Sequence, residues 1–456
     1  MPTIAVLDIG KTNIKLVLFD AKGHVLWQKA QANRPLTDGP YPHADVEGIW
    51  AFVLAALREA HAAHKIDVIV PTTHGATGAL VDEDGLVLPI MDYEFTRLNE
   101  IAPLYAPMRP GFAQSYSPDL PTGLNLGRQL AWQVWHHAEA AEQARYMLTY
   151  PQYWLWRLTG ALASEITSLG CHTDLWLPNA GRPSSLADAL DLTRRMPPLA
   201  PAWAEMGWLR PEICRLTGLD AVPVLCGIHD SNAALLPYLL TRKAPFTVLS
   251  TGTWVVLMAV GHALDHLHAE DDMMANIDAT GRPTACARFM GGREYGEISG
   301  DCTTEPDART AEILMAQGVF ALPAFSPHGG PYASRKGSIT GILPPEARSS
   351  LATLYCALMS DHILSKMGVC TGDIIIDGSF ARNALFCGLL AQFRPAQTVL
   401  CAADQAGTAR GAAMLVHWPN SRFEVEIAPV AAANLAGLAD YRSAWLEKLG
   451  SVASRA

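Results

Sequence analysis

The sequence predicts an α/β protein made of two similar halves. Short apolar runs of strand character alternate with stretches of helical spacing, which marks an α/β layer. One pattern, apolar strand, polar glycine turn, apolar strand, occurs at residues 4–20 and again at 248–257. The length of 456 residues suits two domains rather than one. Their expected bounds are 1–238 and 239–456.

The first hairpin carries Asp8, Lys11, Thr12, Asn13 and Lys15 around Gly10. Glycine lets a turn approach a ligand closely. A carboxylate, a hydroxyl, an amide and two ammoniums on one tight turn suit a metal-bound polyphosphate. A surface hairpin with ordinary polar decoration fits this stretch equally. The second copy favours the phosphate. Val6-Leu7-Asp8-Ile9-Gly10-Lys11 lies over Val248-Leu249-Ser250-Thr251-Gly252-Thr253, with Val, Leu and Gly identical. Hydroxyls replace the charges in the second copy. A charged loop and a hydroxyl-rich loop facing one cleft would clamp the phosphates of a nucleotide.

Half the residues are hydrophobic, so large cores are available. With 34 Lys and Arg against 44 Asp and Glu the net charge is −10, which argues against a nucleic-acid-binding surface. The nine cysteines show no C-x-x-C and no His/Cys ligand cluster, as in a reduced, cytoplasmic protein. The N-terminal strand pattern, broken by Asp8, Lys11 and Lys15, is not that of a signal peptide. No apolar run reaches the length of a membrane span, so no membrane partner is expected.

In order along the chain, 25–27 reads as a strand and 47–63 as a helix with Asp45 near its cap. Residues 67–70 form a buried strand running into Pro71-Thr72-Thr73-His74-Gly75. Loops at strand C-termini line ligand sites in open α/β sheets, which makes Thr73 and His74 ligand candidates. His74 also fits a simple loop histidine. Residues 79–88 read as a hairpin with an acidic glycine turn. Asp92 and Glu94 follow, as polyol ligands or as solvated carboxylates. The span 122–160 is helical in pattern, and its aromatics at 153–156 read as core. In the stretch from Val222 to Leu236 a strand ends at Gly227 and a helix begins near Asp230. A carboxylate there stays ionised at a helix N-terminus and can accept a proton from an attacking hydroxyl. Asp is equally a common helix cap. A basic, proline-bearing link at 237–243 leads to the second hairpin. Asp377-Gly378-Ser379 ends a buried strand before a helix, another close-approach site. The small residues of 405–415 allow either a flat ring or tight helix packing.

Taken together, these motifs resemble the FGGY family of carbohydrate kinases, within the actin-like ATPase superfamily, over about residues 1–415. Asp8-Ile9-Gly10-Lys11-Thr12 is similar to the family's first phosphate loop and Ser250-Thr251-Gly252-Thr253 to its second. Gly227-Ile228-His229-Asp230 matches the segment holding the catalytic base. Thr73, His74 and the segment around Glu94 lie where the family contacts its sugar. The usual Trp-x-Asp motif is here Asp92-Tyr93-Glu94, so Glu94 would replace the Asp. Phe325 to Gly341 resembles a loop used near the nucleotide. Gly378, Asn383 and Gly407 fall where the family seats adenosine, although the usual Gly-Gly is here Asp377-Gly378-Ser379.

The resemblance implies two RNase H-like domains around a central cleft and ATP-dependent phosphorylation of a small sugar, a ketopentose or 6-deoxy ketohexose. Asp230 would be the general base and a sugar ligand. Asp8 would organise Mg²⁺, and Gly10, Lys11, Thr12, Thr251, Gly252 and Thr253 would hold the phosphates. An actin-like ATPase, turning over ATP without a polyol, is one rival reading. A non-catalytic sugar sensor is the other, but it would normally carry a basic DNA-binding segment, and none is visible. A homodimer would suit this class, though no stretch identifies an interface.

Overall fold

A computed structural model describes residues 2–402, 407–421, 423 and 425–453. The chain divides into two compact units. The first comprises 1–241, 275–283 and 406–424, and the second 242–274, 284–405 and 425–456.

The first unit is built on a seven-stranded mixed sheet. Strands β1 (Ile4–Ile9) and β2 (Asn13–Phe19) form the expected hairpin, and β3 (Val25–Ala32) adds to its edge. Helix α1 (Val46–Ala63) is started by Asp45, whose carboxylate accepts from Gly48 N at 2.9 Å. Its apolar stripe, Ile49, Phe52, Val53, Ala56, Leu57 and Ala60, is buried against the sheet. Each large side chain in such a stripe contributes about 2 kcal/mol by leaving water. The chain then returns as β4 (Val68–Thr73), parallel to β1.

Two sequence expectations hold only in part in the next stretch. Residues 79–88 form only the stub of the expected hairpin, closed by Asp82 N to the Gly85 carbonyl and Val87 N to the Leu80 carbonyl, both at 3.0 Å. Strand β5 (Gly78–Val81) pairs instead with β6 (Tyr146–Thr149), and Leu86 keeps a single bridge to Val81. Asp82 accepts from Asp84 N and Gly85 N at 2.8 and 2.9 Å, which closes a local turn and ends the pairing. The span 122–160 is not continuously helical either. Helix α2 (Leu126–His136) and a short helix over Ala138–Gln143 are followed by β6 and by α3 (Tyr150–Thr159), which Pro151 opens at a position where no N–H is needed. The aromatics of α3 are core as read, with Trp154 fully buried.

A one-turn helix, α4 (Ile166–Leu169), precedes strands β7 (Glu205–Trp208), β8 (Pro223–Leu225) and β9 (Ile228–His229). The sheet order is β3-β2-β1-β4-β8-β7, with β9 also on β4. Helix α5 (Asp230–Thr241) runs through Pro237, which the sequence reading assigned to a link. A proline inside a helix leaves the carbonyl four residues back without its donor, here that of Ala233.

The second unit repeats the plan. Strands β10 (Phe246–Thr251) and β11 (Val255–Val260) form its hairpin, and β12 (Pro283–Phe289) pairs with β11. Helices α6 (Gly291–Ser299) and α7 (Arg348–Lys366) follow. Strand β13 (Asp373–Gly378) lies parallel to β10, as β4 does to β1. Helix α8 (Ala384–Phe393) leads to β14 (Val399–Ala402), beside β13.

Helix α9 (Gly407–Ala413) belongs to the first unit. The preceding Gln405 and Ala406, read as part of this helix, lie outside the described residues. A Cβ on Gly411 would stand 1.9 Å from the Ala233 carbonyl oxygen, the one Pro237 leaves without a donor. The small residues of this stretch therefore serve tight packing on α5. Among the described residues no helix is long and apolar enough to cross a membrane.

Candidate active site

In the first unit three parallel strand ends lie side by side. Asp8 and Ile228 flank Thr72, while Ile9 and His229 flank Thr73. The next residues, Gly10, His74 and Asp230, therefore leave the sheet together at its C-terminal edge, where α/β sheets bind ligands. His74 N donates to the Ile9 carbonyl at 3.1 Å, which ties two of the three exits. The sharp bend before β9 is made by Gly227, with φ +87°. A Cβ there would meet the Pro71 carbonyl oxygen at 2.6 Å.

Asp230 is the first residue of α5, as the sequence reading placed it. Its Oδ1 accepts from Ser231 N at 2.6 Å and Ser231 Oγ at 3.2 Å, and lies 3.1 Å from His229 Nε2. Burial raises its pKa, while His74 and the Ser231 hydrogen bonds pull it down. A carboxylate moved toward neutrality is a better proton acceptor at working pH than one left at its ordinary value. Asp8 is raised to about 6, first by burial and then by the charge of Asp230, with Lys15 opposing. Two carboxylates thus share one negative potential.

That potential suits a divalent cation. Among the described residues no group of three or more His, Cys, Asp or Glu could hold a metal. Mg²⁺ needs no such cage, since one or two carboxylates with substrate phosphates and water suffice. Asp8 fits that donor set, and the charge of Asp230 beside it adds to the attraction.

At His74 lies a small open pocket, lined by Lys11, Asn33, His74, Asp92, Tyr93 and Tyr150 among others. Burial depresses His74, so the ring is neutral. Its Nδ1 lies 3.0 Å from the Gly75 carbonyl, which fixes the proton there and leaves Nε2 as an acceptor. The ring packs against Tyr150 and Tyr93, with centroids 5.2 and 5.7 Å away. Lys11 forms an ion pair with Asp92, lies 3.4 Å from Glu94 and sits over the Tyr93 ring at 4.6 Å.

The remaining predicted residues of this unit are placed as follows. Gly10 N donates to Asn13 O at 2.9 Å and closes the turn. Thr12 is exposed, and its Oγ1 accepts from Asn13 Nδ2 at 3.1 Å. Thr73 is fully buried and donates to the His74 carbonyl at 3.0 Å. The Glu94 side chain is largely exposed, and its N–H donates to Asp92 Oδ1 at 3.0 Å. Gly407 opens α9 in this unit.

The second unit has its own, larger and open pocket around the second hairpin turn. It brings together Gly252, Thr253, Asn383 and Ser379 with Gly292, Arg293 and Arg382. Gly252 N donates to Trp254 O at 2.8 Å, the counterpart of the Gly10 turn. Thr251 Oγ1 donates to the Asp377 carbonyl at 2.6 Å and accepts from Phe380 N at 2.9 Å, so it ties the two strand ends together. Asn383 caps α8 by accepting from Phe386 N at 3.0 Å. Gly378 lies under the same turn.

Sequence reasoning gave no role to Asn33, Tyr150, Gly292, Arg293 or Arg382. Only Gly292 carries a local signal, the pair Gly291-Gly292. A Cβ on Gly292 would stand 2.0 Å from the Gly252 carbonyl oxygen, so the pair lets α6 begin against the turn. Asn33 Nδ2 donates to Gly10 O at 2.8 Å from 23 residues away, which no local pattern announces.

One pH dependence follows. Burial depresses His229 to about 4 from an ordinary value of 6.5. The folded state favours the neutral ring, so this contribution to stability is whole above pH 6.5 and is lost as pH falls through 4. The melting temperature of wild type should drop more between pH 6.5 and 4 than that of His229→Gln. Parallel curves would contradict the buried neutral ring.

Comparison with known proteins places both units. Residues 3–237 match the model of the FGGY family of carbohydrate kinases, N-terminal domain, and residues 243–424 that of carbohydrate kinase FGGY, C-terminal domain. The chain is 29% identical to L-fuculokinase of Salmonella typhi over 272 residues, 58% of this chain and 57% of that protein. It is 27% identical to xylulose kinase of Escherichia coli (strain K12) over 266 residues, 56% and 53% of the two chains. The match thus spans little more than half the length of these curated relatives. A carbohydrate kinase structure from Novosphingobium aromaticivorans superposes with a TM-score of 0.91 at 34% identity, covering 99% of each chain. The xylulose kinase structure from Rhodospirillum rubrum, at 16% identity with a TM-score of 0.81 over 99% of each chain, bears on the fold alone.

Proposed function

Because the chain belongs to the FGGY family of carbohydrate kinases, we propose that it transfers the γ-phosphoryl group of ATP to a hydroxyl of a small sugar. The sugar is a ketopentose or 6-deoxy ketohexose, a reading supported by relatives named for L-fuculose and xylulose. The observation that carries the proposal is the alignment of Asp8, His74 and Asp230 at three adjacent strand ends, with His74 lining a pocket that also holds Lys11 and Asp92.

Phosphoryl transfer asks a protein mainly for positioning and charge neutralisation. The sugar occupies the first unit's pocket. There His74 Nε2 accepts from one hydroxyl, and Asp92 and Glu94, braced by Lys11, accept from others. Thr73 acts by holding the His74 carbonyl. Asp230 takes the proton of the attacking hydroxyl as the new O–P bond forms and ADP departs. Its neighbours support this, because the neutral His229 ring and the Ser231 N–H hold the carboxylate without neutralising it. Adenosine binds in the second unit's pocket, at Asn383 and the turn that follows Gly378. The turns 10–12 and 251–253 present N–H and hydroxyl donors to the phosphates. Mg²⁺, held through Asp8 and the phosphate oxygens, would neutralise charge on the transferring group. The free thiols support a cytoplasmic setting.

A coupled ADP-release assay over a panel of ketoses, aldoses and polyols tests the reading. ADP release should rise several-fold or more with one ketose. Equal ATP turnover with and without every sugar would instead fit an ATPase.

A further inference from the structure

We propose that Glu165 and Thr167 are positioning residues for Asp230, forming with Gln152 a buried brace that sets the path of the chain into the base. The proposal rests on the kinase reading above.

The segment 226–230 has no regular partner on its outer side, since β9 holds only two residues. Cys226 N and Gly227 N donate to the Ala204 and Ala202 carbonyls at 2.8 and 3.2 Å, while the Cys226 and Gly227 carbonyls and the His229 N–H are held by side chains. From α3, Gln152 Nε2 donates to the Cys226 carbonyl at 3.0 Å and to that of Gly227 at 3.4 Å. Thr149 Oγ1 donates in turn to Gln152 Oε1. From α4, Thr167 Oγ1 accepts from His229 N at 3.1 Å and donates to Glu165 Oε2 at 2.5 Å. Glu165 also accepts from Thr167 N at 3.0 Å and Ser168 N at 3.4 Å. Gln152, Glu165 and Thr167 show no exposed surface.

A buried carboxylate is a demanding choice for capping a helix of one turn, where Ser or Asn would serve. What distinguishes it is direction. An ionised carboxylate only accepts, so the Thr167 hydrogen must point at Glu165. The hydroxyl lone pairs are then left for the His229 N–H. An amide at 165 could donate to the hydroxyl and free its hydrogen to turn. His229 is one residue from Asp230, and its own Nε2 lies against the Asp230 carboxylate. A rotation of the 228–230 backbone would move the base and its hydrogen-bond donor together. Misplacement on the ångström scale is enough to lose much of a chemical step.

The test uses the full chain, the most active ketose of the panel and pH 8, above the value of about 7 to which burial raises Glu165. Thr167→Val keeps the shape without the hydroxyl, and Thr167→Ser keeps the hydroxyl. Thr167→Val should lower kcat per folded molecule about tenfold, the weight of one lost hydrogen bond, with KM for ATP unchanged. Thr167→Ser should restore most of it. Glu165→Gln, which keeps the bulk, should lower kcat in the same direction and serves if Thr167→Val does not fold. Lower yield or melting temperature with wild-type kcat in the folded fraction would make both residues merely structural and overturn the proposal. Asp230→Asn run alongside separates the two levels. If it retains turnover, Asp230 is not the base and the positioning role falls while the kinase reading stands; if no sugar is phosphorylated by the wild type, the kinase reading itself fails and the positioning role with it.

Discussion

Asp230→Asn should reduce sugar-dependent turnover by about 10² or more, the usual share of a general base, while ATP still binds. The amide has the shape of the carboxylate. Its oxygen can still accept from Ser231 N and from His229 Nε2, 2.6 and 3.1 Å away in the native site, so α5 keeps its start. What it lacks is the capacity to take a proton. Steady-state ADP release at saturating sugar and ATP gives the turnover, and titration calorimetry with a non-hydrolysable ATP analogue gives the binding. Turnover within a few-fold of wild type would remove Asp230 from the chemistry. Loss of nucleotide binding would show instead that the variant fails for another reason.

Gly378→Ala should lower the melting temperature of the second unit and abolish the ATP binding proposed for its pocket. Gly378 holds φ 91° and ψ −148°, a region open essentially to glycine alone. Forcing a side chain into it costs about 1–3 kcal/mol. The added Cβ would also stand 2.0 Å from the Thr251 carbonyl oxygen. Relief of such an overlap adds about 1–3 kcal/mol. The neighbours cannot yield easily, because Thr251 Oγ1 is tied to the Asp377 carbonyl and the Phe380 N–H. Gly281→Ala is the control. It too has positive φ, but nothing lies within 4 Å of its Cβ. Calorimetric melts of the two variants should differ by several degrees. Equal melts would mean that the β13 end is looser than its hydrogen bonds imply.

The hairpins were legible because period, glycine and length are local properties. Apolar runs on both sides of Gly10 and of Gly252 leave few alternatives to two buried strands joined by a tight turn. Asp45 as a cap, the apolar stripe of α1 and the buried aromatics of α3 were readable for the same reason. Misreadings arose where a distant partner won. Residues 78–81 found 146–149 rather than their own turn, and Pro237 was absorbed into α5. In the pocket, Lys11 shows the limit most clearly. Its place on the turn suggested phosphate, yet its ammonium is paired with Asp92, 81 residues away. Nothing within a local window distinguishes those two destinies for a lysine.

Local pattern was therefore enough to establish an α/β chain with a duplicated strand-glycine-strand unit, and to single out Asp230 at a helix start. Side-chain periodicity and turn chemistry act over a few residues, so a linear reading captures them. Strand register and burial had to come from the folded chain. They set Asp8, His74 and Asp230 on neighbouring strand ends, raised both carboxylates by desolvation and Asp8 further by the charge of Asp230, and brought Thr167 and Gln152 to the turn before Asp230. Those effects depend on distances between residues far apart in sequence, which only the packed structure defines.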